Sequence, residues 1–154
     1  MRELFLLAAS AALVSASPVQ AGPAEDAAAA VTTWLDKFNA GDMNAFLSGH
    51  AANAVIVDEF APHIWTGPDV AKRWLEDYGK DSAARGISDG SLGYASPIRS
   101  VSDGKSAYVV VPTIYRFKQG GKAKSAAGTM TFVLVQGDSG WKIASWTYSG
   151  PEPR

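Results

Sequence analysis

Asp58 has the sequence position best suited to acid–base chemistry in this chain. It follows the short β-branched run at residues 54–57, which predicts a strand. Residues two apart in a strand share a face, so Asp58 is expected beside Ile56, towards an apolar interior. Burial there raises the pKa of a carboxyl group, and such a carboxylate can remove a proton next to a carbonyl group. The alternative is a solvated acid at the strand end, beside a Glu59 that points to the opposite face.

Three further side chains are candidates for contact with a ligand. His63 can act as an acid, a base or a donor because its ordinary pKa lies near neutrality, but it can equally support a hairpin or lie at the surface. Trp65 alternates with His63 on one predicted strand face, and it either contacts a ligand or packs in the core against the third predicted helix. Tyr115 shares a predicted face with Val109 and Thr113, so its hydroxyl reaches a ligand if that face lines a cavity.

The composition excludes several other kinds of chemistry. The chain has no cysteine and two histidines, which excludes disulfides, thiolate catalysis and sulfur-bound zinc, and we expect neither a metal nor a cofactor. A net charge of -1 without runs of like charge provides no basic surface for nucleic acid. With 154 residues, 47% of them hydrophobic, the chain is expected to form one globular domain. Cofactor-independent chemistry is therefore the enzymatic class that remains.

Residues 1–21 are predicted to be a signal peptide. An apolar run spans residues 4–14, and Val19 and Ala21 are small residues at positions -3 and -1 from a cleavage site. The run is much shorter than the roughly 20 residues that a membrane-spanning helix needs, so we expect no stable membrane anchor. The expected product is a single domain over residues 22–154, exported to the periplasm or the exterior.

Three helices and a sheet of long strands are predicted to position the candidate residues. Apolar residues spaced three and four apart predict a helix over residues 24–40, and Asp42 is expected to cap a short second helix that ends near His50. There, His50 would be a cation favourable to the helix dipole. A third helix opens at residues 67–69, and a polar connection follows over residues 80–90. Glycine-rich turns then separate strands at about 91–102, 105–118, 122–136 and 141–149. This order predicts an α+β fold in which a strongly curved sheet wraps around the helices and encloses a cavity.

Three short motifs point to a known family. They are Phe38-Asn39-Ala40-Gly41-Asp42-Met43-Asn44-Ala45-Phe46, Trp65-Thr66-Gly67 and Gly140-Trp141-Lys142-Ile143. With the order of elements, they resemble the SnoaL-like and ketosteroid isomerase-like branch of the nuclear transport factor 2-like superfamily. The resemblance covers essentially all of residues 22–154 and implies a cone-shaped, curved, mixed or antiparallel sheet around three helices. It does not specify an activity, because this fold hosts isomerases, cyclases, dehydratases and proteins without catalysis.

The resemblance implies roles for three positions. An ungapped mapping of the steroid isomerases places their general-base aspartate on Asp58 and their oxyanion tyrosine on Trp34, and it places their protonated aspartic acid near Met130. A thioether donates no hydrogen bond, and an indole N–H is a weak substitute for a phenol. The familiar oxyanion site is therefore not reproduced, and Trp34 and Met130 are expected to contact a ligand.

The resemblance also implies a homodimer, because relatives commonly pair through the outer face of the sheet. In the last predicted strand, Trp146 and Tyr148 share one face, opposite Ile143, Ser145 and Thr147. Exposed aromatic side chains are suited to such an interface. We therefore expect the aromatic side chains of this strand to contribute to a dimer contact.

Two functions follow from these observations. The first is an exported, noncatalytic protein that binds a small hydrophobic molecule in an apolar cavity. The alternative is a cofactor-independent isomerase, cyclase or dehydratase that uses Asp58 as a general base. A buried Asp58 with a raised pKa and a nearby donor favours the enzyme, whereas an exposed Asp58 favours the binding protein.

Overall fold

The computed structural model of the protein describes residues 22–151, so the predicted signal peptide at residues 1–21 lies outside the described residues. Three helices and seven strands follow one another in this part of the chain. Their bounds are α1 Pro23–Asn39, α2 Met43–Ser48, β1 His50–Val57, β2 Ile64–Trp65, α3 Val70–Ala84, β3 Ile87–Tyr94, β4 Arg99–Ser102, β5 Ser106–Gln119, β6 Lys122–Gly137 and β7 Gly140–Ser149.

The seven strands form one curved, unclosed sheet. Its order is β2-β1-β7-β6-β5-β3, with β4 also paired to β5. Strands β1 and β7 run parallel, whereas every other pair of neighbours is antiparallel. Register shifts interrupt the β1–β7, β3–β5 and β6–β7 pairings, and such bulges bend a sheet. The helices pack on this sheet with the hydrophobic core between the two layers, which confirms the predicted α+β fold.

The helices form where the apolar periodicity predicts them. Four residues of α1 at successive spacings of four, three and one are buried in the core: Ala27, Val31, Trp34 and Leu35. Asp42 caps α2, because its Oδ1 accepts a hydrogen bond from the Ala45 backbone N–H at 3.0 Å. The predicted cap is therefore confirmed. Within residues 22–151, no helix combines the length and the apolar character needed to cross a membrane.

The connection predicted over residues 80–90 is wrong. Helix α3 continues to Ala84, where an ion pair of 3.1 Å between Asp81 and Arg85 supports its last turn. Gly86, with φ of 63°, makes the turn into β3. The strand predicted over residues 91–102 is in fact the two strands β3 and β4, because Pro97 lies between them and has no N–H to donate to β5.

The predicted faces of β7 are correct for Trp146 and Tyr148, which share one face opposite Ser145 and Thr147, but wrong for Ile143 and for the expected exposure of the aromatic pair. Opposite β6, Ile143 pairs with Leu134 and Ser145 pairs with Val133, which leaves Ala144 as an extra residue. This bulge reverses the alternation, so Trp146 is 3% exposed and faces the interior, as does Tyr148. Trp146 and Tyr148 therefore line the inside of the fold and are not available for a contact on the outer face.

Candidate functional site

A partly open cavity of about 100 Å³ lies between the three helices and the sheet. Aromatic rings form much of its wall, among them Trp34, Phe38, Phe46, Phe60, Trp74 and Trp146. The rings contact one another at centroid distances such as 5.0 Å between Trp74 and Trp146 and 5.1 Å between Trp34 and Phe46. An apolar wall of this kind suits a small hydrophobic ligand and weakens the hydration of any charged group that faces it.

Asp58 faces this cavity from the end of β1. Its Oδ2 accepts a hydrogen bond of 3.0 Å from the Trp74 indole N–H, and its Oδ1 accepts one of 2.8 Å from the Glu59 backbone N–H. Burial raises the pKa of Asp58 to about 6, and the negative charges of Glu59 and Asp81 add to the rise, although the two hydrogen bonds lower it. The carboxyl group is therefore held in a fixed position while it titrates near neutral pH.

Glu59 also reaches the cavity, contrary to the expected alternation. Strand β1 ends at Val57 and the chain then bends, so the two-residue period of a strand no longer applies. Glu59 is exposed at the rim, where burial raises its pKa, Arg85 opposes the rise and Asp81 adds to it. The rim of the cavity is thus polar, whereas its interior is aromatic.

Trp34 and Met130 line the cavity, as does Asp58. The Trp34 indole N–H donates to the Phe46 carbonyl oxygen at 3.2 Å and is therefore already occupied. Met130, which is 4% exposed, offers a thioether that donates no hydrogen bond. These two positions therefore provide apolar surface for a ligand and no donor for an oxyanion.

Tyr115 is also on the cavity wall, and its hydroxyl lies 2.7 Å from the hydroxyl of Tyr78. Burial raises the pKa of Tyr115, and the hydrogen bond with Tyr78 contributes to the rise. One hydroxyl of the pair donates to the other, which leaves one O–H proton for a further acceptor. Sequence reasoning found Tyr115 but not its partner on α3.

His63 and Trp65 do not line the cavity. His63 is exposed in the turn before β2, with φ of 71°, and its Nδ1 is 3.3 Å from the Asp58 carbonyl oxygen. It shares no strand face with Trp65 because β2 begins at Ile64. Trp65 is 2% exposed and donates its indole N–H to Asp77 of α3 at 3.0 Å, which agrees with the core-packing alternative.

Besides Tyr78, sequence reasoning missed two cavity-lining residues that carry a hydroxyl, Ser82 and Tyr148. Within residues 22–151, neither Ser82 Oγ nor Tyr148 OH has a hydrogen-bond partner, although both atoms are buried. Ser82 was missed because residues 80–90 were predicted to be a connection and not part of a helix. The inward direction of Tyr148 was missed because the bulge in β7 was not predicted. Thr113 has a third such hydroxyl, which lies outside the cavity lining.

A second shielded titratable group, His50, begins β1 instead of ending α2 as predicted. Its Nδ1 donates to the Phe46 carbonyl oxygen at 2.9 Å, and its Nε2 accepts from the Trp146 indole N–H at 3.1 Å. Burial lowers the pKa of His50 to about 4, although the hydrogen bond to Phe46 raises it. The ring is therefore neutral, and the prediction that His50 is a cation at a helix end is wrong. In the part of the chain that the structure describes, no three His, Asp or Glu side chains are grouped to hold a metal ion.

Several solved structures are similar to this protein in fold. A ketosteroid isomerase-like protein from Erwinia carotovora atroseptica has a TM-score of 0.65 and 19% identity, over 84% of this chain and 97% of that one. A nuclear transport factor 2-like superfamily protein from Salmonella enterica has a TM-score of 0.67 and 15% identity, over 84% and 92%. The CaMKII hub of S. rosetta has a TM-score of 0.67 and 20% identity, over 86% and 100%.

At these identities the likenesses concern the fold alone. No curated protein matches the sequence. The family model of the SnoaL-like domain, however, matches residues 27–153, which is most of the chain. The protein therefore belongs to the SnoaL-like domain family, within the nuclear transport factor 2-like fold.

Proposed function

We propose that this protein binds a small, largely apolar carbonyl compound and transfers a proton on it, as an isomerase or lyase that needs no cofactor. The observation that carries the proposal is Asp58, which faces an aromatic cavity with its pKa raised to about 6. A base works best when its pKa lies near the working pH, because it is then ionised and still binds a proton well. The likeness to a ketosteroid isomerase-like protein supports the same reaction class.

The reaction assigns one role to Asp58. The ionised carboxylate accepts a proton from the carbon next to the carbonyl group, and negative charge develops on the carbonyl oxygen. The protonated Asp58 then returns the proton to another carbon, which completes an isomerisation, or a leaving group departs, which completes an elimination. The Trp74 indole and the Glu59 N–H hold the carboxylate in place during both steps. The developing charge on oxygen needs a hydrogen-bond donor, and the cavity wall offers hydroxyl groups for that purpose.

The size of the cavity limits the substrate class. A volume of about 100 Å³ is smaller than the engineered apolar cavities of about 150 Å³ that accept benzene. A four-ring steroid exceeds this space. The expected substrate is therefore a compound of about one ring that enters the cavity in part and leaves its polar end near the rim.

The second candidate function is ligand binding without catalysis. It is favoured by Trp34 and Met130, because neither provides an oxyanion donor at the positions where the steroid isomerases have theirs. Both functions use the same cavity and the same class of ligand. They differ in whether bound ligand exchanges a carbon-bound proton with Asp58.

The two candidates are separated by proton exchange of 3-cyclohexen-1-one in D₂O, followed by NMR. The wild-type protein is expected to exchange protons next to the carbonyl and to form the conjugated isomer, and Asp58→Asn is expected to lose both activities. Asp77→Asn is the matched control, because Asp77 also accepts an indole N–H at 3.0 Å but does not line the cavity. Binding without exchange would favour the noncatalytic function. Equal exchange by wild type and Asp58→Asn would exclude Asp58 as the base.

We also propose a homodimer that uses the outer face of the sheet. Partly exposed apolar residues adjoin one another there: Val101 pairs with Tyr108, and Tyr108 pairs with Val133. Such a patch suits an interface between subunits. Sedimentation is expected to show a dimer that Val133→Lys weakens, whereas a monomer at all concentrations would contradict the proposal.

Export is proposed on the pattern of residues 1–21, which precede the region matched by the family model. The test is the mass of the protein recovered from the periplasm or the medium. A chain that begins at Gly22 is expected, and an intact chain retained in the cytoplasm would contradict export.

A further inference from the structure

The cavity offers a ligand few hydrogen-bond donors. Three tryptophans line it, and each indole N–H already donates to an acceptor of the protein at 3.0 to 3.2 Å: Trp34, Trp74 and Trp146. The hydroxyl oxygens of Ser82 and Tyr148 are buried within the wall. The tryptophan rings therefore present apolar and π-electron surface to a ligand and no free N–H. Such surface attracts a positive charge as well as an apolar ring.

The charged groups on the cavity wall are mainly acceptors. They are three carboxyl groups and one guanidinium group: Asp58, Glu59, Asp81 and Arg85. Arg85 donates to Asp81 at 3.1 Å, so the charges of this pair largely offset each other. Among the residues that the structure describes, Asp58 and Glu59 form no salt bridge. The cavity therefore carries negative charge for which the protein supplies no counter-ion.

Glu59 is the carboxyl group that a charged ligand meets first. It is exposed at the rim, whereas Asp58 is more buried and is held by the Trp74 indole. The carboxyl groups also disfavour one another's charge. Besides burial, which is the largest cause, the negative charges of Glu59 and Asp81 raise the pKa of Asp58, and Asp81 adds to the rise in the pKa of Glu59. A cation bound at Glu59 would reduce this repulsion.

An ammonium group has the properties that the rim lacks. It carries a positive charge and three N–H donors, and it needs no donor from the wall. A carboxylate on the ligand would instead meet charges of its own sign, and a neutral hydroxyl would leave the charge of Glu59 uncompensated. The distribution of charge therefore favours a cation at the polar end of the ligand.

We infer that the ligand carries a protonated amine at its polar end, and that Glu59 is the counter-ion of this amine. The inference rests on the proposed function and narrows its substrate class to carbonyl compounds of about one ring that bear an amino group. The ring enters the aromatic interior, the ammonium group stays at the rim beside Glu59, and Asp58 remains available for proton transfer. Glu59 thus determines specificity and takes no part in the proton transfer itself.

The test compares three one-ring probes that differ in the charge of one substituent: cyclohexylamine, cyclohexanol and cyclohexanecarboxylate. Each is titrated into the protein at about pH 7, where an alkyl amine is protonated, and the indole N–H signals are followed by NMR. A probe in the cavity is expected to shift the signals of Trp74 and Trp146 more than that of Trp65, which lies outside the cavity. Wild type is expected to bind the amine about fivefold or more tightly than the alcohol, and the carboxylate more weakly than the alcohol.

Two variants locate the counter-ion. Glu59→Gln is expected to remove the preference for the amine and to leave the affinity for cyclohexanol unchanged. Glu76→Gln is the matched control, because it removes the same charge from an exposed position of α3 that does not line the cavity. It is expected to bind all three probes as wild type does.

Several outcomes would overturn the inference. Equal affinities of wild type for the amine and the alcohol would mean that the cavity does not select for charge, and tighter binding of the carboxylate would make Arg85 the counter-ion. A preference for the amine that persists in Glu59→Gln would exclude Glu59 as the counter-ion. An equal loss of preference in Glu76→Gln would mean that the overall charge of the protein causes it.

The proposed function can fail separately. If no probe shifts the signals of Trp74 and Trp146, the cavity takes no one-ring ligand, and the proposed function fails together with the inference. Binding of the alcohol without a preference for the amine would contradict only the inference. A preference for the amine that Glu59→Gln removes, without proton exchange on 3-cyclohexen-1-one by wild type, would support the inference and contradict Asp58 as the base.

Discussion

His50 and Asp58 stand at the two ends of strand β1, and each bonds to a tryptophan indole, yet their remaining contacts differ. Both ring nitrogens of His50 are used, one by the Phe46 carbonyl oxygen and one by Trp146. Asp58 uses two of about four acceptor positions, and the cavity adjoins the others. His50 is therefore a structural residue, whereas Asp58 keeps a free capacity that a substrate can use.

The tryptophans that bond to Asp58 and His50 belong to one group of aromatic rings. The rings of Trp74 and Trp146 meet at 5.0 Å and 81°, so the donors to Asp58 and to His50 support each other. Burial acts on the two groups in opposite directions, since it disfavours whichever form is charged. It lowers the pKa of His50 to about 4 and raises the pKa of Asp58 to about 6. A shifted pKa alone therefore does not distinguish the two groups, whereas the cavity and the spare acceptor positions set Asp58 apart as the candidate.

Proton-exchange activity is expected to distinguish Asp58 from His50 more strongly than any other measurement. Asp58→Asn is expected to reduce proton exchange on 3-cyclohexen-1-one by at least about 100-fold, because the base is removed. His50→Gln is expected to keep the exchange rate per folded molecule, since His50 does not line the cavity. The measurement is deuterium incorporation by NMR, corrected for the folded fraction. A similar loss of exchange in both variants would mean that Asp58 and His50 are equally important for activity, and it would contradict the distinction between them.

The next effect is on stability. The pKa of Asp58 rises from 3.8 to about 6 on folding, so its ionisation opposes folding as the pH rises from about 4 to above 6. Relative to wild type, Asp58→Asn is therefore expected to gain up to about 3 kcal/mol of stability between about pH 3 and pH 7, on top of a constant loss from the one hydrogen bond that its amide nitrogen cannot accept. Urea unfolding at several pH values measures this difference. A difference between the two proteins that does not change with pH would indicate that the carboxylate is well solvated.

His50 has the opposite dependence on pH. Its pKa falls from 6.5 to about 4 on folding, so its contribution is complete above pH 6.5 and is lost as the pH falls towards 4. In wild type this loss of up to about 3 kcal/mol offsets the gain from Asp58 over the same pH range. Asp58→Asn is expected to reveal it as a fall in stability between pH 6.5 and 4, and adding His50→Gln is expected to remove that fall. A fall that persists in the double variant would come from another group.

A smaller change is expected in the pKa of Asp58 when the indole of Trp74 is removed. Trp74→Phe removes the donor to Oδ2, and because that hydrogen bond lowers the pKa of Asp58, the pKa is expected to rise further. Trp65→Phe is the matched control, since it removes the indole that bonds to Asp77 outside the cavity. It is expected to leave the pKa of Asp58 unchanged in an NMR titration. An equal shift in both variants would point to a general loosening of the core.

Local patterns allowed much of the fold to be predicted from sequence. The spacing of apolar residues in α1, the cap at Asp42 and the β-branched run before Asp58 each depend on a few neighbouring residues. The inward direction of Asp58 follows from the same alternation that buries Ile56. These features required no knowledge of distant contacts.

The missed features depend on partners far along the chain. The extra residue Ala144 is set by how β7 pairs with β6, and it reverses the direction of Tyr148. The neutral state of His50 comes from its burial, and the donor to its Nε2 is Trp146, which is 96 residues away. Glu59 reaches the cavity because β1 ends one residue before Asp58, and the sequence carries no signal for that end.

The role of Asp58 as a base depends on the pKa of its carboxyl group, which can be measured in the protein from Gly22 onward. An NMR pH titration of the side-chain carboxyl carbon measures it, with Asp58→Asn to assign the signal. A pKa of about 6 is expected, because the aromatic cavity disfavours the charged form. A pKa at or below 3.8 would show a solvated or ion-paired carboxylate and would contradict the role of Asp58 as a base.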